Sequence, residues 1–166
     1  WIGSLNTANH LGVNDWRLPM VTDTGTPGCN YSTSGTDCGY NMDPSTGEMA
    51  SLFYGTLGNR GEANPDGSNS GCFTNCLTNT GPFVNMELNF YWYNTESAPA
   101  NLNAWIFDFP SGNQHDSGDK NRDNFAWAVR PGDIAAVPVP GAVWLFGSAL
   151  GLMGVVRRQA AARVSQ

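Results

Sequence analysis

Histidine and lysine are nearly missing from this chain: two histidines and a single lysine occur in 166 residues, and Lys plus Arg number eight against fourteen Asp plus Glu. All fourteen acids lie at or before Asp133, where only Arg17, Arg60, Lys120, Arg122 and Arg130 oppose them, so the first 134 residues carry a net charge of −9. A region this acidic repels phosphate backbones, which excludes nucleic acid as a partner. It also disfavours strongly anionic glycans unless a local basic cluster intervenes.

Catalytic signatures are equally scarce. There is no Gly-x-Ser-x-Gly elbow and no phosphate-cradling Gly loop, and the two histidines are read as lying on a helix end, His10, and in a loop, His115. Glu48, Glu62, Glu87 and Glu96 could supply a glycosidase pair, but nothing in the sequence sets two of them at a working separation. The chain is therefore read as non-enzymatic, with no catalytic residue and no cofactor, and a matrix polysaccharide hydrolase is the lowest-ranked alternative. Long helices are disfavoured too, because Gly and Pro make up 30 of the 166 residues.

Cysteine is limited to Cys29, Cys38, Cys72 and Cys76. Intervals of eight and three residues within the two pairs match no common zinc pattern, and neither histidine is near, so no metal site is expected. An even number of cysteines in an exported chain favours disulfides, with three connectivities open. Cys29–Cys38 and Cys72–Cys76 are preferred, since each pair falls inside one polar loop that a bridge would stiffen.

What is present is concentrated at the C-terminal end. Val137-Pro138-Val139-Pro140 leads into Gly141 to Val156, sixteen residues without charge and with Ser148 as the only polar side chain, and the run stops at Arg157-Arg158. As a helix it would span about 24 Å at ~1.5 Å per residue, and Ala135 to Pro140 extend it toward a hydrocarbon core of ~30 Å. No polar stripe faces solvent along it, so lipid suits it better than a protein core. The spacing predicts a C-terminal transmembrane helix over 141–156, with Arg157, Arg158 and Arg163 cytoplasmic and residues 1–134 outside. The chain opens at Trp1 without an initiator Met or a charged-then-apolar leader, and is read either as having lost a secretory signal or as a piece of a longer chain.

This tail, with Gly151-Leu152-Met153-Gly154 before Arg157-Arg158, resembles the PEP-CTERM class of sorting signals in its Val-Pro-Leu-Pro-like variant. Val139 stands where the namesake Pro-Glu-Pro motif has Glu. The resemblance implies that Pro138, Pro140, Arg157 and Arg158 act as a signal for an exosortase-like membrane protease in a Gram-negative bacterium. The route it implies is export through the inner membrane, transient tethering there, and processing that leaves the domain at the cell surface or in the extracellular matrix.

The region before the tail, 1–134, is long enough for one domain. Trp1, Ile2, Leu5 and Ala8 recur at helical spacing, so a helix runs to about His10 with Gly12 ending it. Ser45 to Glu48 fits a capping box ahead of a short helix with Met49, Leu52, Phe53, Thr56 and Leu57 on its apolar face, which Gly58-Asn59 closes. Three segments alternate as strands: 86–93, 104–109 and 125–130. Consecutive strands predict an antiparallel meander with two short helices packed on one face and long loops between, an α+β domain.

Asn14-Asp15-Trp16-Arg17-Leu18-Pro19, Tyr91-Trp92 with Thr95-Glu96, Ala104-Trp105-Ile106-Phe107-Asp108-Phe109 and Trp127-Ala128-Val129-Arg130-Pro131-Gly132 look like the DUF1566 family, also called the Lcl C-terminal domain. The resemblance implies a C-type-lectin-like fold and an adhesin that binds extracellular polysaccharide. Tyr93 departs from it, standing where a Ser is usual.

Three groups of side chains are candidates for more than packing. Tyr91 and Tyr93, expected on the face opposite Trp92, are a candidate ligand surface for sugar rings. Asp116, Asp119 and Asp123 lie in the segment Pro110 to Asn124, read as an oxygen-rich loop that is solvated rather than built for Ca²⁺, because EF-hand spacing and the Glu-Pro-Asn motif are missing. Arg17 and Arg130 are expected to pair with acids such as Asp15 or Asp108. The leading functional expectation is polysaccharide binding at the cell surface, with self-association into a filament or layer as the alternative.

Overall fold

The computed structural model describes residues 1–23 and 37–131. The chain divides into two compact units, Trp1–Pro131 and Gly132–Gln166, and the tail signal, the apolar run 141–156 and Cys29 lie outside the described residues. Among the described residues no helix is long and apolar enough to cross a membrane.

The first unit is α+β, with one antiparallel sheet and a few short helices. Helix α1 spans Ile2–Thr7, α2 spans Glu48–Ala50, and the strands are β1 (Phe90–Glu96), β2 (Asn103–Asp108) and β3 (Asn113–Asp119) in the order β1-β2-β3. The aromatic and branched residues of β1 and β2 suit a pleated, half-buried surface. Tyr91 pairs with Phe107 and Trp92 with Ile106, while Phe107 also faces Gln114 and Ile106 faces His115. One face thus carries Tyr91, Phe107 and Gln114, and the other Trp92, Ile106 and His115. A register shift interrupts each pairing, between Trp92 and Glu96 and between Ala104 and Ile106.

Both outer edges of the sheet are capped by single strands of loop. Phe125 runs parallel beside Tyr91, receiving the Trp92 amide at 2.9 Å and donating to the Phe90 carbonyl at 2.9 Å. On the far side Gly39 exchanges both backbone hydrogen bonds with Gln114. Capped edges present few open amides to another chain.

Helix α2 continues through Ser51–Thr56 as a π-helical turn, in which the Leu57 amide reaches the Leu52 carbonyl at 2.8 Å. Gly58 at φ +66° then reverses the chain, and the Asn59 amide bonds back to the Phe53 carbonyl at 3.0 Å. Met49, Ala50, Phe53 and Leu57 are buried against Tyr91, Tyr93, Trp105, Phe107 and Phe109 of the sheet. Phe53 meets Phe107 and Phe109 at ring centroids 5.4 and 6.0 Å apart, and an aromatic core of this kind favours tilted and edge-on contacts.

Four expectations are corrected. The segment Pro110 to Asn124 is not one continuous loop: seven of its fifteen residues, Asn113–Asp119, are β3, where Gln114 satisfies its side-chain amide inside the core. The segment 125–130 is not a sheet strand; it makes only bridges, Phe125 to Tyr91 and Val129 to Arg17. The capping box at Ser45–Glu48 does not form either. Asp43 receives the Ser45 amide at 2.8 Å, Gly47 is the N-cap of α2, and Glu48 is engaged elsewhere. Helix α1 also ends before His10, where Asn9 adopts a left-handed conformation at φ 49°. Asn6 of α1 anchors the following loop by gripping Trp16 from both sides, accepting its amide at 2.8 Å and donating to its carbonyl at 2.9 Å.

Candidate functional site

The candidate site grows from the loop between Gly81 and Asn89 and the segment beyond β3. Gly81-Pro82 breaks the chain, and Asn85 at φ 60° turns it again, so that Phe83 and Val84 project outward. Phe83 is 39% and Val84 83% exposed, unusual for large apolar side chains beside one another. Opposite them stands Trp127, half-buried, with its ring edge-on to Phe83 at 5.5 Å and to Phe109 at 5.8 Å. Tyr91 lies behind at 5.7 Å from Trp127 and 5.4 Å from Phe125.

These rings enclose a cleft of about 280 Å³, whose wall also includes Met86 and Glu87. A second recess of about 150 Å³ shares Phe83 and Trp127 and continues toward Pro19, Glu48 and Leu52. Phe83 and Trp127 are the wall common to both, and the first of the two is the aromatic groove. Glu87 has no ion-pair partner among the described residues, so its carboxylate is available to accept hydrogen bonds at the mouth. Beneath it the Tyr91 hydroxyl accepts the Glu87 amide at 3.2 Å, which fixes the backbone of the rim.

The lower rim is held by an ion pair. Arg17 reaches Glu48 through both guanidinium nitrogens, Nη1 to Oε2 at 2.6 Å and Nη2 to Oε1 at 2.7 Å, and the Met20 amide adds a third bond at 2.7 Å. Hydrogen bonding to Arg17 holds the Glu48 carboxyl below the usual range despite partial burial. Arg130 pairs with Asp15 at 3.2 Å, as expected for one of the two arginines. Asp108 pairs with neither; its carboxyl, raised by burial, is bonded to the Ser111 hydroxyl.

Tyr91 and Tyr93 are placed differently from the expectation that they form an exposed surface. Tyr93 is 2% exposed, and its hydroxyl donates to Gln114 Oε1 at 2.6 Å while accepting the Ala50 amide at 3.3 Å. Gln114 in turn donates to the Asp37 carbonyl at 2.6 Å. Alternation shows that a strand has two faces without saying which is covered, and here the tyrosine face is the covered one. Tyr91 retains a share in the groove wall; Tyr93 does not line it.

The three aspartates are not brought together. Asp116 accepts the Ser97 hydroxyl at 3.0 Å, Asp119 accepts the Asn121 amide at 2.9 Å in a turn, and Asp123 is exposed beyond them. Among the described residues no group of three or more metal-ligating side chains converges. Cys72 and Cys76 form a disulfide with Cα atoms 4.9 Å apart. Cys38 is also disulfide-bonded, and the expected pairing with Cys29 lies outside the described residues.

Sequence reasoning missed Phe83, Val84, Phe125 and Gln114. The first two had a signal, an apolar pair placed directly after Gly-Pro, where a turn to the surface is the normal outcome. Gln114 had none, because its partners are remote in sequence. No family model, curated protein or solved structure matches the chain.

Proposed function

We propose that the first unit is a non-enzymatic, C-type-lectin-like domain that holds extracellular polysaccharide in the groove between Phe83 and Trp127. The observation that carries the reading is a partly exposed aromatic pair flanking a cleft with one unpaired carboxylate at its mouth. Aromatic rings match the apolar face of a pyranose, and a free carboxylate accepts from vicinal hydroxyls while rejecting anionic chains. The net −9 of the region favours a neutral glycan for the same reason. Glycoside hydrolysis requires two carboxyl groups flanking one bond, whereas Glu87 is the only acid lining this cleft. Glu48 and Glu96 are each engaged by a cation, Arg17 and Lys120.

The tail supports a surface location. Its resemblance to exosortase-sorted signals implies export through the inner membrane and processing near Pro138-Pro140, which would deliver the domain to the extracellular polysaccharide.

The test is affinity electrophoresis of the protein in gels containing neutral glucans, mannans or the producing cell's own polysaccharide, with Phe83→Ala and Phe125→Ala beside the parent. Retardation by a neutral glycan, weakened about tenfold by Phe83→Ala at a cost of ~1.4 kcal/mol, is the expected result. No retardation by any of them, together with concentration-dependent oligomers that Phe83→Ala abolishes, would replace glycan binding with self-association.

A further inference from the structure

The opposite face of the sheet carries a separate cleft of about 260 Å³. Buried Ile106 and Gly118 lie at its base, Phe90 and His115 along one side, and Asp119 and Arg122 of the turn after β3 at its rim. Glycine at 118 lets β3 pack closely at the base, because a Cβ there would stand 2.6 Å from the Ile106 side chain and 2.7 Å from the Trp92 ring. Phe90 and His115 meet edge-on at 6.3 Å. The His115 Nδ1 lies 2.7 Å from the Ser117 hydroxyl, so both groups are oriented before any ligand arrives.

Two cations stand beside this cleft, and they differ. Lys120 is committed to Glu96 at 2.6 Å and to the Asn101 carbonyl at 2.7 Å. Arg122 makes no ion pair and no side-chain hydrogen bond among the described residues. Asp119, three residues before it at the same rim, instead directs Oδ1 to the Asn121 amide at 2.9 Å and its Nδ2 at 3.0 Å, and Asp123, the next residue, is exposed and makes no ion pair with it. Arg122 is exposed at the rim of the cleft, where its planar fork is free to match a carboxylate side-on.

The geometry points to a second site on this outer face for a single carboxylate-bearing sugar unit of the hexuronate type. Its carboxylate pairs with Arg122, its ring lies against Phe90, and its hydroxyls meet Ser117 and Asn124. At about 260 Å³ the cleft has room for one sugar unit. A neutral hexose would leave the guanidinium unpaired and gain only the weaker contacts. The site does not depend on the groove around Trp127, which lies on the other side of the capping segment at Phe125.

Proton–nitrogen NMR of the full chain, titrated with sodium glucuronate and separately with glucose, tests this. Saturable shifts at the Ser117, Gly118 and Asn124 amides are expected with glucuronate. The apparent affinity should fall at least about tenfold for glucose, and by a similar factor in Arg122→Gln, the loss of a charge-assisted hydrogen bond. Arg122→Lys, which keeps the charge but not the fork, should lie between. Equal response to both sugars, an unaffected Arg122→Gln, or no saturable shift at these amides overturns the assignment. Phe83→Ala should leave the shifts unchanged, so a failure of the groove and a failure of this site read out separately.

Discussion

Replacing Tyr93 with Phe removes one oxygen from the centre of the domain and separates a packing role from a ligand role. The Tyr93 hydroxyl donates to Gln114 Oε1 at 2.6 Å and accepts the Ala50 amide at 3.3 Å. Ala50 is the third residue of α2, where no intrahelical carbonyl exists for its amide, so a strand side chain caps the helix. The variant leaves both partners unsatisfied in a site that is 2% exposed. An orphaned buried acceptor costs ~1–3 kcal/mol and a lost cap ~1 kcal/mol, offset in part because the phenol no longer has to be desolvated. We expect a net loss of about 2 kcal/mol, or a fall in Tm on the order of 5–10 °C. Urea unfolding followed by tryptophan fluorescence measures it, with an unchanged m value as the check on two-state behaviour. Glycan retardation below the transition should be unaltered. A stability change under about 0.5 kcal/mol, or loss of glycan binding in a variant of normal stability, would refute the reasoning.

Other consequences are open to measurement. Burial raises the phenols of Tyr54 and Tyr93, so the folded state resists their ionisation while the unfolded chain does not; stability should be full below about pH 10 and decline above it, as alkaline unfolding curves would show. Burial lowers the His115 pKa, which has the opposite sense: its contribution is present above about pH 6.5 and is lost on acidification, and His115→Gln should flatten the stability profile between about pH 6.5 and 5. Double replacement of Cys72 and Cys76 by Ser opens a loop of sequence separation 4 and should cost about 2 kcal/mol in thermal unfolding by the chain-entropy relation. Arg17→Ala should cost only ~1 kcal/mol, because Glu48 is 44% exposed; a loss above about 3 kcal/mol would show the pair to be more desolvated than its exposure implies.

The elements that were legible in the sequence are those whose pattern is local. β2 lies within one residue of where alternation puts it, β1 shares only 90–93 with the expected 86–93 and runs on to Glu96, and Gly58 ends the second helix as its freedom at positive φ allows. β3 was illegible because Asn113-Gln114-His115-Asp116-Ser117-Gly118-Asp119 has the composition of a loop. Its place in the sheet depends on Gln114, whose amide is satisfied by Tyr93, 21 residues before it, and by Asp37, 77 residues before it. The reverse error arose at 125–130, where aromatic alternation is real but the segment caps an edge through isolated bridges. For the tyrosines the period was right and the face was wrong: Phe90 and Trp92 are as apolar as Tyr91 and Tyr93, so periodicity alone assigns neither face to the core. The groove was missed because it joins a loop near Phe83 to a segment near Trp127, and no local pattern links them.

The same edge caps bear on how the domain meets partners. Phe125 beside β1 and Gly39 beside β3 each bridge one residue of an outer strand, Tyr91 and Gln114, so strand addition at those positions would first have to displace a bonded segment. Faces and clefts offer another route to a partner. The two clefts differ in the charge they present: the groove at Trp127 offers a carboxylate and no cation, and the outer cleft offers the unpaired Arg122. Because the segment at Asn124 and Phe125 stands between them, one residue lining each, occupancy of one cleft need not obstruct the other. On the two proposed assignments together, a neutral stretch would bind on one side and an acidic unit on the other, which in a heteropolymer would join neighbouring chains. If both sites act, mixing the protein with an alternating neutral and uronate polysaccharide should raise solution viscosity. Phe83→Ala and Arg122→Gln should each abolish that rise while leaving the other site's binding intact, whereas a rise that survives either substitution would show that bridging does not run through this pair of clefts.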